Sequence, residues 1–178
     1  MSIDAAIAEK FQKHHQQYIP KDPGRHEYRK CGYKEDKLVS GLLKSSPPLL
    51  LELEEVLFEI KTISELELDL YAKQKGYEYF SIYKKIREAG WILLPKSSPS
   101  YLYQLFSPDK NFNRKTSTSI GLLQIVPAAS SVDPNFFTQH QATTIIFAIA
   151  DGSTFTLVEA HAYPNAKSLL SSTTPKLR

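Results

Sequence analysis

The chain is 178 residues long, 42% hydrophobic and 23% charged, with 7 Gly and 11 Pro, a composition that excludes collagen-like and low-complexity disordered proteins. Its longest apolar runs, Trp91 to Leu94 and Ile145 to Ala150, stop well short of the roughly 18 residues of a bilayer span. The net charge of +3 hides a balance of +3 over residues 1–48, −4 over 49–76, +4 over 77–115 and zero beyond, so two basic segments flank an acidic one. That distribution suits a nucleic acid or an acidic partner, although a solvated surface of ordinary unevenness has the same signature.

The N-terminus turns polar by Lys10, Lys13, His14 and His15, so no secretory signal is expected there. Ile3 to Gln17 reads as a helix with Ile3, Ile7 and Phe11 spaced by four, stopped by Pro20, Pro23 and Gly24. Arg25 to Lys44 is short and punctuated by Gly32 and Gly41, which favours small strands and turns. Leu49 to Ile60 places Leu49, Leu53, Val56, Leu57 and Ile60 on one face with glutamates between them, predicting an amphipathic helix. Leu66 and Leu68 alternate with Glu65, Glu67 and Asp69 and read as a short strand. Tyr77 to Ala89 is a second clear helix, with Phe80, Tyr83 and Ile86 on a common face and Gly90 placed to end it.

After Gly90 the pattern becomes one of strands: Trp91 to Leu94, Tyr101 to Phe106, Ile120 to Pro127, Thr143 to Ala150 and Ser153 to Val158. Asp151-Gly152 marks a hairpin between the last two, and Ser130 to Gln141 is expected to hold a short helix. The fold class expected is α+β. An α-rich N-terminal domain covers 1–72, a helix followed by a mainly antiparallel sheet covers 73–165, and a Ser/Thr-rich flexible tail covers 166–178.

General motifs contribute little. There is no phosphate loop, dinucleotide fingerprint, zinc-protease helix or serine-nucleophile elbow. His14 and His15 are adjacent and would point about 100° apart on a helix, a poor metal pair. Cys31 is the single cysteine, so it can form neither an internal disulfide nor a multi-thiolate zinc site, and a reducing compartment is expected. No cofactor or metal is called for.

The run PPLLLELEEVLFEIKTISELEL is similar to a helix and following short strand in the N-terminal domain of tRNA-splicing endonuclease subunits, with Glu54, Glu55, Val56, Leu57 and Phe58 at its centre and Leu53 where that family has proline. GRHEYRKCGYKEDKLVSGLL resembles the stretch before that helix in the larger structural subunit of the eukaryotic enzyme. EYFSIYKKIREAGWILLP resembles the helix opening the nuclease-like domain, through Phe80, Tyr83, Arg87, Gly90 and Trp91. YLYQLFSPDKNFNRK and TTIIFAIADGSTFTLVEAHAYP extend the likeness, which covers roughly residues 24–164. The long insertion that usually separates the two domains is missing, and the smaller structural subunit is the competing assignment.

In this family a tyrosine, a histidine and a lysine share the cleavage chemistry, leaving a 2′,3′-cyclic phosphate. The resemblance places Phe106 at the tyrosine position, Thr118 at the histidine position and Thr143 or Thr144 at the lysine position. Tyr103 would replace Phe106 if the strand register slipped. There is no histidine from 107 to 139 and no lysine from 116 to 166, so the expectation is a chain with no catalytic residues. It would be a non-catalytic structural subunit that pairs with a catalytic subunit and other subunits of the endonuclease and helps position intron-containing pre-tRNA. A nuclear location is implied, with the cytoplasm or an organelle surface as alternatives.

Lys84, Lys85, Lys110, Arg114 and Lys115 supply most of the basic 77–115 segment and are the expected RNA contacts. Phe147, Phe155 and Leu157 in the last two strands are the expected partner interface, because so apolar an edge is otherwise a liability. The alternative readings are a stand-alone RNA endonuclease with rearranged groups such as His140 or His161 with Lys115, and a general nucleic-acid or protein interaction domain.

Overall fold

The computed structural model describes residues 2–34, 48–96, 101–127, 130, 132, 136, 144–151 and 154–160. Helix α1 (Ile3–Lys10) is capped by Ser2, whose Oγ accepts from the Ala5 N–H at 3.2 Å. It does not continue to Gln17 as the spacing predicts. The chain turns extended at Phe11 and forms a hairpin of β1 (Phe11–His14) and β2 (Gln17–Pro20), with Phe11 opposite Pro20. His15 turns the corner at φ +54°. Phe11 stays buried despite the change, so the apolar stripe is real and only its last member belongs to a strand. Tyr18 then exchanges backbone hydrogen bonds of 3.0 and 2.8 Å with Leu51, which anchors the hairpin to the next unit.

A 3-10 helix (His26–Lys30) leads to β3 (Tyr33–Lys34), which pairs with β4 (Leu49–Leu50). Pairing draws Leu49 and Leu50 out of the helix predicted for them, so α2 spans Leu53–Glu59. Glu52 is its N-cap and Glu55 closes a capping box. The strand expected around Leu66 is instead the start of helix α3 (Glu65–Gln74). Ser64 and Glu67 cap one another there, and the buried pair Leu68 and Ala72 has helical spacing. The helix predicted over Tyr77 to Ala89 is present as α4 (Phe80–Glu88), burying Phe80, Tyr83 and Ile86, and Gly90 follows at φ +94°, a left-handed stop that favours glycine.

Five strands follow among the described residues: β5 (Ile92–Pro95), β6 (Leu102–Phe106), β7 (Gly121–Val126), β8 (Ile145–Asp151) and β9 (Thr154–Ala160), side by side in that order. All neighbours are antiparallel except β7 and β8, so the fold is α+β with a mainly antiparallel sheet, as expected. Asp151 lies opposite Thr154, the register of a two-residue hairpin. Most of the helix expected at 130–141 and the whole 166–178 tail fall outside the described residues.

One sheet face carries Leu93, Tyr103, Leu105, Leu123, Ile125 and Ala148, and packs into a core shared with Phe11, Leu51, Val56, Leu57, Leu68, Phe80 and Tyr83. The other face holds two smaller clusters, one of Ile92, Leu94, Phe106 and Phe112 and one of Val126, Ile145 and Phe147. The division expected at residue 72 falls inside α3, whose Ala72 is buried in the shared core. No helix among the described residues is long and apolar enough to cross a membrane.

Candidate nucleic-acid interface

Strand register brings two of the family-like positions, Phe106 and Thr144, to one end of the sheet. Phe106 closes β6 beside Leu105, which faces Gly121, and Leu122 donates its N–H to the Thr144 carbonyl at 2.8 Å. Phe106 is buried, packed on Ile92 and Leu94 with the Phe112 ring 5.0 Å away in an edge-on contact. Thr118 and Thr144 are exposed, and Thr143 lies outside the described residues, as do His140 and His161. An apolar ring, with no hydroxyl, thus stands where the resemblance expects a proton-exchanging tyrosine.

Tyr103, the alternative tyrosine, points the other way. It is buried and donates to Glu54 Oε1 at 2.6 Å. It belongs to a buried polar seam between α2, α4 and the sheet. Burial holds the Glu54 carboxyl well above its ordinary pKa, with the Tyr103 hydrogen bond opposing and the neighbouring Glu55 carboxylate reinforcing the shift. Burial likewise raises Glu55 to about 7, against its bonds from the backbone N–H groups of Gly32 and Glu52. Gly32 makes that contact at φ +69°, where a Cβ would lie 2.4 Å from the Leu50 carbonyl oxygen. Arg87 is also in the seam: its guanidinium donates to the Lys30 carbonyl at 2.9 Å, approaches Cys31 Sγ at 3.6 Å and sits 5.1 Å from the Phe58 ring centre. Burial pushes the Cys31 thiol far above its usual value, so it is an inert packing group.

The five expected RNA contacts divide into two sets. Lys84 is only 14% exposed and bonds Glu65 at 2.7 Å and Glu88 at 3.7 Å. Lys85 lines a cavity of about 340 Å³ together with Glu65, Asp69 and Glu78. Carboxylates compete with phosphate for both α4 lysines. Lys110, Arg114 and Lys115 lie elsewhere, in the loop after β6, whose shape is held by side-chain bonds to backbone N–H groups: Asp109 to Asn111, Asn113 to Lys115 and Ser117 to Asn113. Arg114 docks this loop on the N-terminal segment, donating to the Gly32 carbonyl at 2.8 Å and the Arg29 carbonyl at 3.4 Å. Burial lowers its pKa. It is therefore a tether more than a free cation.

Docking creates a groove of about 900 Å³ whose cationic lining is Arg25, Arg29 and Lys34 from one side and Lys110, Arg114 and Lys115 from the other. No carboxylate lines it among the described residues. Arg25 is drawn to Asp22 and Glu27 at 3.3 and 3.4 Å, while Arg29, Lys34, Lys110 and Lys115 are exposed. Sequence reasoning missed Arg25, Arg29 and Lys34. The basic balance of residues 1–48 was their signal, but nothing in it pairs them with a loop more than 70 residues away.

The expected partner residues also separate. Phe147 does not face outward: it is buried beside Val126 and Ile145, with the Phe136 ring at 6.1 Å, because its β8 position falls on a face the chain itself covers. Phe155 is half-buried against the main core. Leu157 is 56% exposed on β9, the outermost strand of the sheet among the described residues, with Val158 and Ile149 exposed nearby. The chain matches no protein-family model and no curated protein.

Proposed function

We propose that the chain is a non-catalytic structural subunit of a tRNA-splicing endonuclease, which pairs with a catalytic subunit through the β9 edge and helps hold intron-containing pre-tRNA. The observation that carries this reading is the Phe106 end of the sheet. A buried aromatic cluster surrounds Phe106, which the resemblance sets at the tyrosine position, and Phe112 of that cluster also lines the cationic groove. Acid-base cleavage of RNA needs a group that takes a proton and one that gives it, each worth about 10² to 10⁴ in rate; Phe106 and the exposed threonines offer neither. The groove offers charge without chemistry, which suits holding RNA for a partner to cut. The nuclear location and the larger-subunit assignment belong to the same reading.

Co-expression with a catalytic subunit tests it. The two chains should co-purify, the pair should cut intron-containing pre-tRNA, and the purified single chain should not. Phe106→Tyr alone should restore no cleavage, and His140→Ala and His161→Ala should leave the assembled enzyme's chemical rate unchanged. Metal-independent cleavage by the single chain, abolished by either histidine substitution, would instead make it a stand-alone endonuclease.

A further inference from the structure

We infer that the groove between the 3-10 helix and the loop after β6 is a binding site for the phosphodiester backbone of RNA, with Arg29 and Lys34 as contacts alongside Lys110 and Lys115. Part of this rests on the reading above, since RNA is chosen over other polyanions as the ligand. The rest stands on geometry. Two segments far apart in sequence deliver their cations to one concavity with no carboxylate among its described lining residues, whereas the lysines of α4 are set among glutamates. Arg25 is drawn to Asp22 and Glu27 at the rim, but Arg29, Lys34, Lys110 and Lys115 remain as like charges gathered around one concavity, an arrangement whose repulsion a polyanion relieves.

The aromatic lining tells what part of the RNA is touched. Tyr28 and Phe112 are 3% and 6% exposed, so neither presents a face on which a base could stack. Asn111 and Asn113 use side chain or backbone N–H to shape the loop. Asn111 spends only its backbone N–H and keeps an exposed side chain, but most of what faces outward is charge, and such a site contacts chiefly phosphate, which carries no sequence information. An acidic peptide would meet the same cations, but its carboxylates sit on flexible stems between uncharged residues. An RNA strand presents one charge at every nucleotide.

The test uses the full-length chain and a fluorescein-labelled 12-nucleotide RNA of mixed sequence, followed by anisotropy across a salt series. The combined variant Arg29→Gln, Lys34→Gln and Lys110→Gln should bind at least tenfold more weakly, and its salt slope should fall by about 2, since each phosphate contact to a single strand contributes roughly 0.7. Changing the base sequence should move affinity less than threefold. The control Lys73→Gln with Lys75→Gln, in the last turn and at the C-cap of α3, should bind as wild type. All the groove side chains replaced are exposed, and single variants Lys34→Gln and Lys110→Gln, each weakening binding with an unchanged circular dichroism spectrum, guard against a folding artefact. The inference is overturned if wild type does not bind, if the slope is unchanged, if the control loses as much, or if a polyglutamate 12-mer displaces the RNA at equal concentration. RNA binding lost in the groove variant by a chain that recruits no nuclease subunit would keep the site and reject the splicing role. Co-purification with a catalytic subunit and wild-type RNA binding by the groove variant would do the reverse.

Discussion

Glu54 reaches Tyr103 Oη at 2.6 Å with one carboxyl oxygen, and its other oxygen has no hydrogen-bond partner among the described residues. A charged carboxylate so placed would lack solvent and a full set of donors, so the fold favours the protonated acid. The consequence for stability follows from linkage. In the unfolded chain Glu54 loses its proton above about 4.5, while in the folded chain it holds the proton to higher pH, so the stability it contributes is fully present below 4.5 and is lost as pH rises through the folded value. Glu55, raised to about 7, acts in the same direction between 4.5 and 7, a term on the order of 3 kcal/mol. Urea unfolding of Glu54→Gln at pH 5 and pH 8 should show the variant gaining on wild type as pH rises; a gap that stays constant would mean Glu54 is ionised in the fold. Tyr103→Phe leaves both Glu54 oxygens unsatisfied and should cost about 1–3 kcal/mol by the same measurement.

Helix α3 shows at the next scale why some elements were legible and others were not. The sequence around Leu66 alternates every second residue, but Leu66 and Leu70 are 70% and 51% exposed, so the alternation describes no buried face. The burial is at Leu68 and Ala72, and the start signal was Ser64 with Glu67 three residues on. Ser64→Ala should therefore destabilise the chain by about 1 kcal/mol, read as a lower urea midpoint. The helices with wide apolar stripes and the β-branched strands after Gly90 were readable because their pattern and their packing agree. The groove was not, since Lys110 and Lys115 meet Arg29 and Lys34 only through the Arg114 tether. At the β9 edge, burial divides residues that sequence could only pool. Leu157→Lys should leave the urea transition of the isolated chain nearly unchanged and weaken capture of a catalytic subunit at least tenfold. Phe155→Lys, which would bury a charge against the main core, should lower stability by several kcal/mol instead.

For the molecule as a whole, the decisive feature is that the α-rich N-terminal part and the sheet do not own separate cores. One cluster contains Ala6 and Phe11 at one end of the chain and Leu123 and Ala148 at the other, with Leu57, Ala72 and Tyr83 between. The polar seam crosses the same boundary, since Tyr103 of β6 bonds Glu54 of α2 and Arg87 of α4 bonds the Lys30 carbonyl. Cutting the chain after residue 72 would strip the sheet's inner face of Phe11, Leu51, Val56 and Leu57 and leave Glu54 and Arg87 without those partners. Each exposed apolar side chain of that size forfeits about 1.5–3 kcal/mol, and only a few such losses consume the 5–15 kcal/mol that holds a domain together. The full chain should therefore unfold in one step, with the fluorescence of its single tryptophan, Trp91, and far-ultraviolet circular dichroism sharing one urea midpoint. Residues 73–178 expressed alone should show no cooperative transition. A fragment that folds with its own sharp midpoint would mean the sheet and α4 are self-sufficient, and that the shared core is only a docking surface between two domains.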